Sequence, residues 1–300
     1  MLKQISFRWP WAIAVIASLV LAVVMATEPA SATHTLFIVD DDGKAEVGNC
    51  NSKTTADESS IQDAIDAAAA GDYVFVCPGT YVEDVEVDKA GLFLLGIANG
   101  EKRPVVDGGN KDEVGNGPTI NVTADGVTVD NFIVINAGTE TPTPGIGVIS
   151  DNNTITNNVL YGNRCGINLW NGSGGAGTGG GSNNFVAYNT VFENTADGIR
   201  VQDESTGNII FSNDVFDNDS DGIELRVGAA DNDLRNNNTH HNFADGIFLR
   251  SNAGAGNTLV NNDAHHNATE GIDDDAANHI SEAANDTHHN GGTDCDGCVS

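Results

Sequence analysis

Basic residues are scarce in this chain: 13 Lys and Arg stand against 43 Asp and Glu over 300 residues, a formal net charge of −30. A surface of that sign repels nucleic acid, anionic membranes and polyanions unless cations intervene, which removes nucleic-acid binding from the leading readings. Helical periodicity is equally thin. Only Ser59 to Ala70 places apolar residues at i, i+3, i+4 and i+7 (Ile61, Ala64, Ile65 and Ala68), with Thr55, Asp57 or Ser59 as candidate caps and Gly71 as the stop. The chain lacks the leucine consensus of leucine-rich repeats, a nucleotide-binding loop and a Ser-His-Asp pattern. Its acidic turn Asp40-Asp41-Asp42-Gly43 lacks the full spacing and closing Glu of an EF-hand, so calcium there is a weak expectation.

One long apolar stretch is present, and it lies outside the expected fold. Lys3 and Arg8 precede the uncharged run Ala12 to Ala26, and Ala30-Ser31-Ala32 forms a small-x-small cleavage site. Residues 1–32 therefore read as a signal peptide removed before Thr33; an uncleaved anchor is the alternative, because Trp9 to Ala26 approaches spanning length. The mature chain is expected to be secreted, periplasmic or on the cell surface, with no stable membrane insertion after cleavage. Five cysteines suit an oxidising compartment: Cys50 is expected to pair with Cys77, and Cys295 with Cys298 as a terminal staple, with a metal pair at those last two as the alternative. Cys165 reads as a small buried apolar residue.

What the chain has in abundance is repetition. Asn, four variable residues, then Asn is written six times: Asn158–Asn163, Asn189–Asn194, Asn213–Asn218, Asn237–Asn242, Asn262–Asn267 and Asn285–Asn290. Gly-Ile keeps the same beat at Gly166, Gly198, Gly222, Gly246 and Gly271, and a further Asn recurs at Asn184, Asn208, Asn232 and Asn257. The period is 23 to 25 residues, except where the glycine-rich insertion Asn171 to Ser182 stretches it to 31. A fixed period in the twenties means stacked supersecondary units. Short alternating runs (Gly-Ile-Arg-Val, Gly-Ile-Glu-Leu, Gly-Ile-Phe-Leu) make each unit strands, with Ile and Val or Leu facing one way. An inward Asn in every coil can bond the coils above and below and satisfy turn amides.

The expected fold is thus an all-β solenoid, a right-handed single-stranded parallel β-helix with an N-terminal capping helix. Residues 33–72 hold the entry strand (Leu36 to Val39) and that helix, 73–290 the β-helix, and 291–300 a C-terminal cap.

The segments Ser60 to Asp66, Ala70 to Val76 and Pro78-Gly79-Thr80-Tyr81 resemble the entry segment of secreted pectin-lyase-like β-helix proteins. Val85-Glu86-Val87, Leu92 to Gly96 and Val127 to Phe132 continue the likeness, and the later Asn and Gly-Ile coils resemble the repeats of NosD-like and carbohydrate-active surface proteins. The resemblance spans about residues 35–290 and implies the fold. That superfamily includes pectate lyases, polygalacturonases, uronan epimerases, tailspikes, adhesins and catalytically silent surface proteins, and fold does not settle among them. The paired-Asp and His-Gly motifs of polygalacturonases and the Asp-Pro-His-Glu segment of alginate epimerases are missing here.

If successive coils lie in register about 4.8 Å apart, equivalent residues form columns. The residue before each Gly-Ile is Asp197, Asp221, Asp245 and Glu270: a calcium-binding edge, or simply good Asp-Gly turn chemistry. Six of the eight histidines pair up as His240-His241, His265-His266 and His288-His289. With the acids that follow them they suggest a zinc or copper site from His241, Asp245, His266, Glu270 and His289; copying of an aromatic slot from coil to coil is the alternative. On the outer side of the Gly-Ile strands, Asn168, Arg200, Glu224, Phe248 and Asp273 form one column and Trp170, Gln202, Arg226, Arg250 and Asp275 the next.

Sugar sites use an aromatic platform and arginine forks for carboxylates. Trp170, Asn168 and Phe248 are accordingly the candidate substrate contacts, and Arg200, Glu224, Arg226 and Arg250 the candidate catalytic group, with Glu224, a histidine or a deprotonated basic group as base. A charge lattice that offsets column repulsion is the alternative. The leading expectation is a binder of acidic extracellular polysaccharide with lyase- or epimerase-like chemistry, needing divalent cations at most and no organic cofactor. The competing one is a non-enzymatic structural or metal-binding surface protein.

The leader makes a direct prediction. Mass spectrometry of exported protein is expected to show a chain beginning at Thr33; an intact N-terminus retained in membranes would favour the anchor.

Overall fold

Three short strands and three corners make up each coil. In one coil the strands are Asp214–Phe216, Ile223–Leu225 and Asp233–Arg235, and Asn238–His240 begins the next. Every strand pairs in parallel with its counterpart one period later, as in Val215 with Thr239, Ile223 with Ile247 and Leu234 with Leu259. The result is three parallel sheets of ten, nine and nine strands, which close into a parallel β-helix. The computed structural model describes residues 34–45, 50, 56–109, 117–138, 143–171, 180–275 and 280–296. The expected leader, most of the glycine-rich insertion and Cys298 lie outside these residues.

The interior is filled by the alternation the sequence shows. Ile199 and Val201, Ile223 and Leu225, and Ile247 and Leu249 are fully buried, and they meet Val191, Val215, Ile210 and Leu234 from the other two sheets. Period-two strands therefore supply one or two inward side chains each, and stacking makes a continuous apolar column.

Corners would leave backbone amides unpaired inside the protein, and asparagine solves this. At the corner before Asp214–Phe216 and its equivalents, the N–H of each ladder Asn donates to the next coil's Asn Oδ1: Asn158 to Asn189, Asn189 to Asn213, Asn213 to Asn237 and Asn237 to Asn262, all at 3.0 Å. The second Asn of each signature repeats the pattern from Asn163 through Asn290 at 3.0–3.2 Å. The third ladder runs Asn153, Asn184, Asn208, Asn232 and Asn257.

The residue just before a ladder Asn is left-handed: Asn157, Tyr188, Ser212, Asn236, Asn261 and Ala284 have φ between 52° and 59°. A left-handed non-glycine residue costs on the order of 1–2 kcal/mol, so the hydrogen-bonded ladder must hold these turns in place.

The recurrent glycine has a different cause, close approach. A Cβ on Gly198 would sit 2.7 Å from the Gly222 carbonyl oxygen and 2.9 Å from Asn218 Nδ2. Gly222, Gly246 and Gly271 meet the same pair of obstacles from the next coil. Side chains are excluded there because the backbone of the neighbouring coil and the Asn ladder already fill the space.

Helix α1 spans Ile61–Ala67, shorter than the Ser59–Ala70 expected, and its cap is Ser60 rather than Thr55, Asp57 or Ser59. The Glu83 carboxylate explains the start: it accepts from the N–H groups of Ile61 and Gln62 at 2.9 and 3.0 Å and from Ser60 Oγ at 2.9 Å. A carboxylate on the first-turn amides is the favourable end of the helix dipole. Ile61, Ala64 and Ile65 are buried against the entry strand Leu36–Val39 and its neighbour Tyr73–Val76. Cys50 and Cys77 form the expected disulfide with their Cα atoms 5.5 Å apart, and Cys165 is free and buried. Cys295 is disulfide-bonded; its expected partner Cys298 lies outside the described residues.

These bonds predict a graded loss. Asn213 Oδ1 accepts from Asn189 N–H and Nδ2, and its own Nδ2 donates to Val186 O and Asn237 Oδ1. Asn213→Ala leaves buried partners orphaned and is expected to cost roughly 3–5 kcal/mol. Asn285→Ala, at the half-buried end of the same ladder, should cost less than half of that by urea unfolding. Equal, small losses would mean the ladder is incidental.

Candidate functional site

The columns expected on the Gly-Ile sheet are real. Asn168, Arg200, Glu224, Phe248 and Asp273 are paired in register along successive strands. The next column stays aligned through N–H to carbonyl bonds from Gln202 to Leu169, Arg226 to Val201 and Arg250 to Leu225, each 3.0 Å. Arg226 and Arg250 are thus neighbours, with Arg200 diagonally beside them.

At their centre is Glu224, which is fully buried although it sits on the outer side of its strand. Arg200 Nε is 2.8 Å from its Oε2, Arg226 Nη1 is 3.6 Å from the same oxygen, and Arg250 Nε contacts Oε1. Arg200 also donates from Nε to Asp197 Oδ2 at 2.7 Å, while Arg226 Nε donates to Gln202 Oε1 at 2.7 Å. The Arg250 guanidinium lies 4.9 Å from the centre of the Phe248 ring. Burial raises the Glu224 pKa and repulsion from Asp197 adds to it; Asp197 is pushed up by burial too, but Arg200 holds it below the usual carboxylate range.

Three guanidiniums therefore share two buried carboxylates, with Asp221 near Arg250 and Asp203 near Arg226 as further acidic neighbours. Arg200 is closed off, but the side chains of Arg226 and Arg250 are 30% and 43% exposed. Immediately after Arg226, Val227 has φ 48°, a strained conformation for a β-branched residue.

Several expectations need correction here. Glu224 is encased and saturated with ion pairs, so it has no face for a substrate proton; it is the counter-charge that gathers the arginines. Trp170 is no open platform: it is 7% exposed and lies across Gly147, where a Cβ would be 2.7 Å from its ring. Asn168 is 3% exposed, with its Oδ1 unpaired. Phe248 is half-buried and carries Arg250.

The acid column follows turn chemistry. Asp197 Oδ1 accepts the Asp221 N–H (3.4 Å), Asp221 Oδ1 the Asp245 N–H (3.1 Å), and Asp245 Oδ1 the Glu270 N–H (2.8 Å). Each carboxylate thereby pairs a corner amide of the coil beyond. Burial and then Asp197 push Asp221 up to about 7.

The histidines form the two expected columns, and aromatic stacking governs them. Tyr161, Phe192, Phe216, His240, His265 and His288 stack continuously with ring centres 4.9–5.1 Å apart, and His241, His266 and His289 stack alongside at 5.1–5.2 Å. The metal set expected from His241, Asp245, His266, Glu270 and His289 is not brought together: among the described residues no cluster of three donors joins those histidines to Asp245 or Glu270. The reason is the buried Asn242 and Asn267 corners between them, beyond which Asp245 turns to the amide ladder. Asp245 and Glu270 cluster with Asp273 instead, while Asp263 and Asp286 cluster with His288. Spacing of two within a strand, Asp-x-His, is the signal for the latter, since residues i and i+2 share a face.

Residues 118–287 match the family described as "Right handed beta helix region". Among solved structures, pectate lyase Pel9A superposes with TM-score 0.59 at 17% identity, covering 87% of this chain and 80% of that one. An alginate lyase from Paenibacillus sp. str. FPU-7 gives 0.56 at 15% identity over 78% and 94%. The mannuronan C-5 epimerase AlgE6 A-module of Azotobacter vinelandii gives 0.53 at 16% identity over 77% and 72%. At these identities the likeness is one of fold. No curated protein sequence matches significantly.

Asp221 supplies a pH prediction. Its folded pKa, about 7, lies above its unfolded value, so its stabilising contribution is complete below about pH 4 and is lost as pH rises through 7. Asp221→Asn keeps an oxygen for the Asp245 amide and removes that titration. The variant should match wild type near pH 3.5 and exceed it by roughly 1–3 kcal/mol at pH 8; a margin over wild type that does not grow between those two pH values would contradict the assignment.

Proposed function

The chain belongs to the right-handed β-helix family, and from that premise we propose that it is an exported protein that grips an acidic polysaccharide along its Gly-Ile sheet. Arg226 and Arg250 hold the uronate carboxylates. The carrying observation is the arginine cluster itself: two partly exposed guanidiniums, one coil apart, fixed by a buried Glu224 on a chain of net charge −30. Two partly exposed guanidiniums side by side offer carboxylates adjacent charged donors, and the planar fork of arginine suits them. Prior ion pairing to Glu224 fixes the forks, so less side-chain entropy is lost on binding.

The three structural neighbours are named for pectate, alginate and mannuronan, and the acidic-glycan part of those names is extended here while the reactions are not. Lyase and epimerase chemistry needs a base beside C5 and a neutralised carboxylate. The arginines meet the second need; the enclosed Glu224 does not meet the first. Binding is therefore the activity assigned, and a base for turnover would have to be a group other than Glu224. Export is supported by the leader pattern of residues 1–32 and by the Cys50–Cys77 disulfide.

Affinity electrophoresis through gels containing alginate, polygalacturonate or a neutral glucan tests this. Wild type should be retarded by the two acidic polymers only, and the double variant Arg226→Ala/Arg250→Ala should bind them about tenfold or more weakly, the loss of roughly one charge-assisted fork. Equal mobility of wild type and variant would remove the arginine site. Growth of absorbance from an unsaturated uronate product would overturn the restriction to binding.

A further inference from the structure

The outer face of the sheet that ends in Asp286–His288 carries a second lattice of ionisable side chains. Its strands are Asp214–Phe216, Asn238–His240, Asp263–His265 and Asp286–His288, in register so that Asp214, Asn238, Asp263 and Asp286 form one column and Phe216, His240, His265 and His288 the other. At the upper end Asp214 has side-chain partners, although Asn238 Oδ1 has none. Asp214 Oδ1 accepts from Asn238 Nδ2 at 2.8 Å and lies 3.2 Å from His240 Nε2.

One coil further the donor is lost, because Asp263 and then Asp286 stand where Asn238 did. Two carboxylates now occupy adjacent register positions about 4.8 Å apart, an arrangement that is repulsive by itself. Asp263 Oδ1 and His288 Nδ1 are both shielded from solvent and both lack a hydrogen-bond partner. They are 3.8 Å apart, and Asp286 Oδ1 is 3.4 Å from the same nitrogen. All three donor atoms lie within 4.8 Å of one another. A separation of 3.8 Å is too long for a hydrogen bond. Two donors each about 2.0–2.2 Å from a common tetrahedral ion are roughly 3.3–3.6 Å apart, a span that the 3.4 Å pair fits and the 3.8 Å pair reaches with a small closing movement.

We infer that Asp263, Asp286 and His288 form a binding site for one divalent transition-metal ion of the zinc type, with one imidazole nitrogen, two carboxylate oxygens and open positions for water. The stacked His265 and the neighbouring His289 fix the His288 ring, with centres 5.1 Å away on both sides. An ion there removes the carboxylate repulsion and gives both orphaned atoms a partner. The nitrogen donor selects against calcium, which prefers a shell of oxygens.

Calorimetric titration of the mature chain with zinc, nickel or calcium chloride tests the site. One saturable zinc or nickel site is expected, with calcium binding at least tenfold weaker. His288→Gln and the pair Asp263→Asn/Asp286→Asn should each weaken zinc about tenfold or more, while Asp245→Asn/Glu270→Gln should leave it unchanged. Absence of heat with zinc and nickel, calcium binding as tight as zinc, or a loss confined to the Asp245/Glu270 variant would each overturn the assignment. Should the His288 variant fold poorly, cobalt(II) added to wild type gives a separate readout. Paramagnetic broadening centred on the His288 and His265 ring protons is expected, and broadening centred elsewhere would refute the site.

Discussion

The structure depends on one repeated hydrogen bond, from the backbone N–H of a corner asparagine to the side-chain oxygen of the asparagine one coil on. Corners are where a solenoid is weakest, because the chain must reverse while its amides stay inside. Here three ladders of asparagine take up those amides on three edges, and the residue before each ladder position is held left-handed. A one-residue slip would turn the inward apolar side chains outward, and the corner ladder penalises it again, because the shift would take every Asn off its partner. The same constraint explains the glycine of Gly-Ile, since the ladder amide of the neighbouring coil occupies the place of its Cβ.

Fixed register turns sequence columns into physical ones, and each column resolves its own repulsion in a different way. The Asp197–Asp221–Asp245 column is relieved by corner amides. The arginines are relieved by a buried carboxylate, which leaves two of them partly open to an anion. Imidazoles stack as aromatic rings and extend a column begun by Tyr161 and Phe192. The Asp263–Asp286 pair has no side-chain amide between its carboxylates, and that is the place where an external cation is inferred. The proposed anion and cation sites thus fall on two different sheets of one solenoid, and both follow from the same stacking rule.

Much of this was legible in the sequence because a solenoid repeats its logic. The Asn signatures, the Gly-Ile beat and the alternation in Gly-Ile-Glu-Leu led to sheets, register and core without long-range guesswork. The Cys50–Cys77 pairing and helix α1 followed from local pattern. What failed was the outer surface. Alternation assigns Glu224 to the outside of its strand, but it cannot show that Arg200, Arg226 and Arg250 from three coils close over it. Trp170 was expected to be open for the same reason, while Gly147 of the preceding coil leaves a slot that its ring fills. The histidines were matched with acids four residues ahead, across a corner; the partners that count are two residues behind on the same strand. The cap of helix α1 was missed because Glu83, far along the chain, takes its first amides.

Amide hydrogen exchange at the corners tests the central claim most directly. The backbone N–H groups of Asn189, Asn213 and Asn237 lie outside the strands, where turn amides ordinarily exchange fast. Donated into a buried asparagine ladder, they are predicted to exchange only on global unfolding, as slowly as the core strand amides of Ile223 and Leu225. Exchange of these three at the rate of an exposed loop would contradict the ladder, and with it the register on which both proposed sites rest.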